Sequence, residues 1–190
     1  RYHCDNELLA KYSEGIICTT ACIGSPMGEH FLKENDGTAY EVFSQWIDIF
    51  GQDNVFVEIQ GLAWEKQYAV NKKLIEMANN FNVKVIATND VHYTYKEDNE
   101  DHDTLLCIGT GKAKDDETRM KYDHEFWLRS YDEMIEAFSR NDNSEEYLNV
   151  VKQALYNTNL IAEMVEDNIR LGSDVPLFTK VELPKGYTSE

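Results

Sequence analysis

Three short apolar runs rich in β-branched residues punctuate the first half of the chain: Gly15-Ile16-Ile17-Cys18-Thr19-Thr20, Val55-Phe56-Val57-Glu58-Ile59 and Val83-Lys84-Val85-Ile86-Ala87-Thr88. Their length and composition predict half-buried or buried strands. Between them Tyr40, Phe43, Ile47 and Phe50, and then Val70, Leu74, Met77, Ala78 and Phe81, recur at helical steps and predict two amphipathic helices. The order strand, helix, strand, helix, strand is that of parallel βαβ units, whose functional residues gather where the strands end at their carboxyl edge. Beyond the third strand the pattern turns helical: residues 98–108 carry Leu105, Leu106 and Ile108, Ser130-x-x-Glu133 is a capping box ahead of Met134, Ile135 and Phe138, and Leu148, Val151, Leu155, Ala162 and Val165 mark a longer helix. Val175-Pro176-Leu177-Phe178 and Leu183-Pro184-Lys185-Gly186-Tyr187 predict an extended tail.

No glycine- or serine-rich linker, repeat or low-complexity tract divides the 190 residues, so we expect one domain: a βαβ portion over 1–95, a helical portion over 96–170 and the tail from 171. With 42% apolar and 28% charged residues the chain has the means for a sizeable core. The net charge of −17 argues against a grip on phosphate backbones. Cysteines at 4, 18, 22 and 107 are too sparse for a disulfide scaffold, and reduced thiols are expected. No run is long and apolar enough for a membrane helix, and the start lacks the regions of a signal peptide, so a cytoplasmic protein is expected.

The densest polar cluster, Thr88-Asn89-Asp90-Val91-His92-Tyr93, follows the third strand. In extended backbone residues two apart point the same way, so Asp90 and His92 can offer a carboxylate and an imidazole to one metal ion; an Asn-Asp turn with a surface histidine is the plainer alternative. Cys22, just past the first strand, can bring a thiolate to the same edge, or be a small buried hydrophobe. Glu58 interrupts an apolar strand with Gln60 on the same face, which suits a metal ligand or base and equally a solvent-facing residue of an edge strand. His102, between Asp101 and Asp103, fits an exposed helix start or a partner turned towards the site, while His3, His30 and His124 read as surface residues. Gly109-Thr110-Gly111-Lys112 lacks the spacing of a phosphate loop, and neither a G-x-S-x-G elbow nor a repeated zinc pattern occurs.

The blocks Asn6 to Cys22, Val57-Glu58-Ile59-Gln60, Ala87-Thr88-Asn89-Asp90-Val91-His92-Tyr93, Asp101-His102-Asp103-x-Leu105-Leu106-Cys107-Ile108 and Phe126-Trp127-Leu128-Arg129-Ser130 with Glu133-Met134, in that order and spacing, resemble the polymerase and histidinol phosphatase (PHP) domain of bacterial DNA polymerase III α-subunits. The helix through Asn157-Thr158 and the segment Pro176-Leu177-Phe178 extend the resemblance over essentially the whole chain. It implies an α/β fold, a partial distorted (β/α)7 barrel of parallel strands followed by a helical part, with phosphoesterase or 3′ to 5′ exonuclease chemistry at clustered divalent ions (zinc, manganese or magnesium). By this resemblance Cys22, Asp90 and His92 match metal-ligand positions, and Glu58 and His102 lie near the site. The family opens with a His-x-His motif, a Thr-Asp-His turn and a glutamate, none of which precedes Arg1; the chain thus resembles the carboxyl-side portion of the domain, and the isolated fragment is expected to be inactive. The same resemblance implies DNA and other replicative subunits as partners through the remainder of a polymerase, and self-association where a barrel edge is left open. Alternatives within the family are a structural platform and a free-standing small-molecule phosphatase.

Overall fold

The computed structural model describes residues 4–122, 125–167 and 169. His3, His124 and the expected extended tail lie outside these residues. Three parallel strands, β1 (Cys18–Thr19), β2 (Val55–Gln60) and β3 (Val85–Thr88), form one sheet in the order β1-β2-β3. Between β1 and β2 come α2 (Pro26–Leu32) and α3 (Asp36–Phe50); α4 (Glu65–Phe81) joins β2 to β3. A short α1 (Asn6–Lys11) precedes β1, and α5 (Asn99–Thr110), α6 (Tyr131–Ser139) and α7 (Glu145–Met164) follow β3. The α/β class with parallel strands and a helical second part is the expected one.

One apolar core sits between the sheet and its helices. Val55, Val57 and Ile59 of β2 and Ala87 of β3 meet Phe43 of α3, Leu74 and Met77 of α4, Phe138 of α6 and Val151 of α7. The period of two in β2 turns Phe56, Glu58 and Gln60 to the opposite face. The outer edge of β3 is covered by α7, whose Asn157 amide donates to the Val85 carbonyl at 2.7 Å. Among the described residues no strand lies beside the outer edge of β1.

The first strand is shorter than the apolar run suggested. Gly15 has a φ of 73°, Ile16 donates its N–H back to Ser13, and Ile16 is 48% exposed, so the chain is still turning until Cys18. The third strand starts at Val85 because the Val83 N–H is spent on the Ala78 carbonyl at the end of α4. The helices α1 and α2 are too short to show an apolar stripe in the sequence. Ser25 caps α2, accepting from the Gly28 N–H at 3.1 Å with Pro26 at the first helical position, and the Asp5 side chain caps α1. The expected capping box is present: the Ser130 hydroxyl accepts from the Glu133 N–H while the Glu133 carboxylate accepts from the Ser130 N–H at 2.8 Å.

Candidate metal and phosphoester site

Because the strands are parallel, the residues that follow each of them lie at one edge of the sheet. Thr20-Ala21-Cys22 follows β1, Gly61-Leu62 follows β2 and Asn89-Asp90-Val91-His92 follows β3. Two of these exits turn through left-handed backbone at non-glycine residues, Ala21 with φ 56° and Asp90 with φ 50°. Such conformations are costly for a residue with a Cβ, and they cluster at binding and catalytic sites.

The Cys22 turn is closed by local contacts. The Ser25 N–H donates to the Cys22 carbonyl at 2.9 Å, and Gly28 sits so close beneath the turn that a Cβ there would stand 2.3 Å from the Ile23 carbonyl oxygen. Cys22 is half-buried. Cys18, inside β1, is a different kind of thiol: burial pushes its pKa up to about 11, which keeps it protonated.

The loop after β3 is held by a network that no local pattern announces. Arg129, with a side chain only 1% exposed, donates to the Gly61 carbonyl at 2.8 Å and to Asn89 Oδ1 at 2.7 Å, thereby bridging the ends of β2 and β3. Its guanidinium also pairs with Glu125 and lies 4.1 Å from the centre of the Trp127 ring. Asn89 in turn donates to the Trp127 carbonyl, and the His92 N–H donates to the Phe126 carbonyl at 2.8 Å. Burial lowers the Arg129 pKa against the opposing pull of Glu125. For Glu125 burial works against ionisation, yet the hydrogen bonds and charges of Arg140 and Arg129 outweigh it and hold the carboxyl below its ordinary value.

His92 is exposed, and its Nδ1 lies 2.6 Å from the Asp90 carbonyl oxygen. A carbonyl only accepts, so Nδ1 carries the proton in the neutral ring and the Nε2 lone pair is left for an acceptor role or a metal. The His92 ring stands 5.5 Å from that of His102, 5.1 Å from Tyr122 and 5.0 Å from Phe126. His102, on α5, is thus turned towards the site, not out to solvent; burial, followed by the neighbouring His92, lowers its pKa. His30, expected at the surface, is half-buried with Nδ1 enclosed and unpartnered.

Glu58 lies on the central strand of the sheet, so the solvent-facing edge-strand reading does not hold. Its carboxylate accepts from Thr19 Oγ1 at 2.8 Å and from Thr88 Oγ1 at 2.6 Å, one hydroxyl from each flanking strand.

Cys22, Asp90 and His92 therefore stand after strands at one edge, with His92 in a ligand-ready tautomer. Among the described residues, however, no three side chains of His, Cys, Asp or Glu converge so as to hold a metal ion. The donors of the described residues do not by themselves make a preformed metal centre. The bridging role of Arg129, with Asn89 and Glu125, is not legible in the sequence: a buried arginine has no periodic signature, and its partners are 4 to 68 positions away.

Residues 1–61 match the PHP domain family. Over 187 residues the chain is 33% identical to DNA polymerase III subunit alpha of Treponema pallidum, covering 98% of this chain and 15% of that subunit. The DNA polymerase III subunit alpha of Borreliella burgdorferi is 34% identical over 186 residues, 97% of this chain and 15% of the subunit. A probable DNA polymerase, YorL, of Bacillus subtilis is 36% identical over 193 residues, 94% of this chain and 14% of that protein. The chain spans about one seventh of the length of the curated relatives it matches.

Proposed function

The chain carries a PHP-domain segment and is homologous along nearly its whole length to bacterial DNA polymerase III α-subunits; from that premise we propose that it serves in a replicative DNA polymerase as part of a metal-dependent phosphoesterase or 3′ to 5′ exonuclease domain. In this reading Cys22, Asp90 and His92 are donors to a divalent ion (zinc, manganese or magnesium), with further donors supplied from outside the described residues. Glu58 and His102 hold the surroundings in place. The observation that carries the reading is the parallel sheet, whose carboxyl edge receives both the Cys22 turn and the Asp90–His92 loop through strained left-handed exits. DNA is reached through the remainder of the polymerase, in keeping with the net charge of −17, and the protein works in the cytoplasm with other replicative subunits.

A second reading, a structural platform without catalysis, draws support from the lack of convergence of any three donor side chains among the described residues. Elemental analysis of the full-length protein separates the two. The catalytic reading expects a co-purifying divalent metal, with His92→Ala and Cys22→Ser each lowering metal content and cutting phosphodiester hydrolysis by about 10- to 100-fold. Metal content indifferent to both substitutions sinks it.

A further inference from the structure

The residues just ahead of β1 and β2 meet those at the end of α7 at the amino end of the sheet, opposite the edge that carries Cys22, Asp90 and His92. They enclose a groove of about 510 Å³, walled by Ile16 and Ile17 from the segment before β1 and by Met164, Val165 and Ile169 from the end of α7 and just beyond it. Ile16, Met164, Val165 and Ile169 are each between 40% and 58% exposed. Single apolar side chains at a surface are ordinary, but four of them around one groove mark a surface built to be covered.

The chemistry of the walls narrows what covers them. A small-molecule site sets several convergent polar groups in an apolar wall. Here the polar side chains are Asn54, whose amide already donates to the Phe50 carbonyl at 2.9 Å, and Glu166. Such a lining suits an apolar stretch of polypeptide. The sequence continues from Ile169 into one: Val175-Pro176-Leu177-Phe178, where the proline biases Val175 to extended backbone. Val175 is six residues past Ile169, a reach of about 20 Å, enough for the chain to turn back over the groove. Charge agrees. Residues 170–190 balance Arg170, Lys180 and Lys185 against Asp174, Glu182 and Glu190, so this stretch meets a body that carries the whole net charge of −17 without repulsion. Lys180, two residues past Phe178, suits the carboxylate of Glu166 at the rim.

We propose that the groove between Ile16 and Val165 is the docking site of the chain's own Val175-Pro176-Leu177-Phe178 segment, with Leu177 and Phe178 as its anchors. Docked there, the segment straps the end of α7 to the start of β1 across the amino end of the sheet. It thereby keeps the carboxyl end of the chain away from the opposite edge, where the candidate donors stand. The proposal does not depend on the function proposed above.

The test is photo-crosslinking of the full chain with p-benzoylphenylalanine in place of Phe178, read by mass spectrometry of the digested product. Irradiation is expected to join position 178 to residues 15–17, which are remote in sequence, and Ile16→Asp is expected to lower the yield of that product by about tenfold by placing a charge in the apolar groove. Should Ile16→Asp fail to fold by circular dichroism, Val165→Asp takes its place with the same expected loss. A mixture of unlabelled and isotopically labelled chains separates the occupants: products of a single mass class support the strap, whereas mixed-mass products identify a second copy in the groove and overturn it. Products confined to residues 164–169, which nine residues of chain reach without docking, or found only elsewhere, overturn the proposal, as does a yield at residues 15–17 that the groove substitution leaves unchanged.

Discussion

The two segments that carry the candidate donors are built in opposite ways. The turn after β1 is closed within residues 20–28: Ala21 enters the left-handed region, Ser25 bonds back to Cys22, and Gly28 leaves room for the Ile23 carbonyl. The loop after β3 is closed by residues far along the chain, through His92 to Phe126, Asn89 to Trp127, and Arg129 to Gly61 and Asn89. A turn fixed by backbone shape is insensitive to charge and fails only when its shape is blocked. A loop fixed by a buried guanidinium fails when that charge, or its counter-charge, is removed.

The largest expected effect follows from cutting the long-range network. Arg129→Met leaves Asn89 Oδ1 and the Gly61 carbonyl without their donor and Glu125 with Arg140 alone, a loss of about 3–5 kcal/mol for breaking a buried ion pair. Urea denaturation measures the total. Amide hydrogen exchange sharpens the comparison: protection of the His92 N–H is expected to drop by more than that of the Ser25 N–H, because only the former bonds to the segment that Arg129 anchors. Equal losses at both amides break the distinction.

Blocking the shape of the other turn is expected to cost less. In Gly28→Ala the new Cβ would stand 2.3 Å from the Ile23 carbonyl oxygen and 2.8 Å from its carbon, which is backbone and not a yielding side-chain end. The turn must shift, at about 1–3 kcal/mol, and the Ser25 amide is expected to lose protection while the His92 amide keeps it.

This contrast also explains what could be read from the residues alone. The strands, the helices α3 to α7 and the capping box at Ser130 follow from periodicity and short-range hydrogen bonding, both of which are local. So did the placement of Cys22, Asp90 and His92 after strands. What escaped was long-range: Arg129 sits in Phe126-Trp127-Leu128-Arg129-Ser130, where nothing nearby says that its guanidinium reaches Gly61, 68 positions back. The residues alone leave Glu58 open between a site residue and a solvent-facing edge position, because strand order, which makes β2 central, is a property of the assembled sheet. The short α1 and α2 rest on side-chain caps at Asp5 and Ser25, with too few residues to show a stripe.

The smallest expected effect is a pH dependence confined to one of the two segments. Glu125 binds Arg140 at 2.8 Å and pairs with Arg129, and its carboxyl is held below its ordinary value of 4.5 despite the opposing effect of burial. A group whose pKa is depressed by folding contributes stability that is fully present above its unfolded value; the contribution fades as pH falls through the folded value, since the unfolded chain takes up the proton first. Below about pH 4.5 the Arg129 network therefore loosens, and the His92 N–H is expected to lose protection, after correction for the intrinsic exchange rate, while the Ser25 N–H holds. Glu133 and Asp142 are also held low, by hydrogen bonds from Ser130 and from Tyr68, so the acid slope of overall stability has several sources. Comparison with Glu125→Gln isolates the relevant one: Arg129 and Arg140 stay charged throughout, the variant has no proton to take up at this position, and the extra loss at His92 on acidification is expected to vanish. An unchanged acid response at His92 in Glu125→Gln would place the charge control of this loop elsewhere.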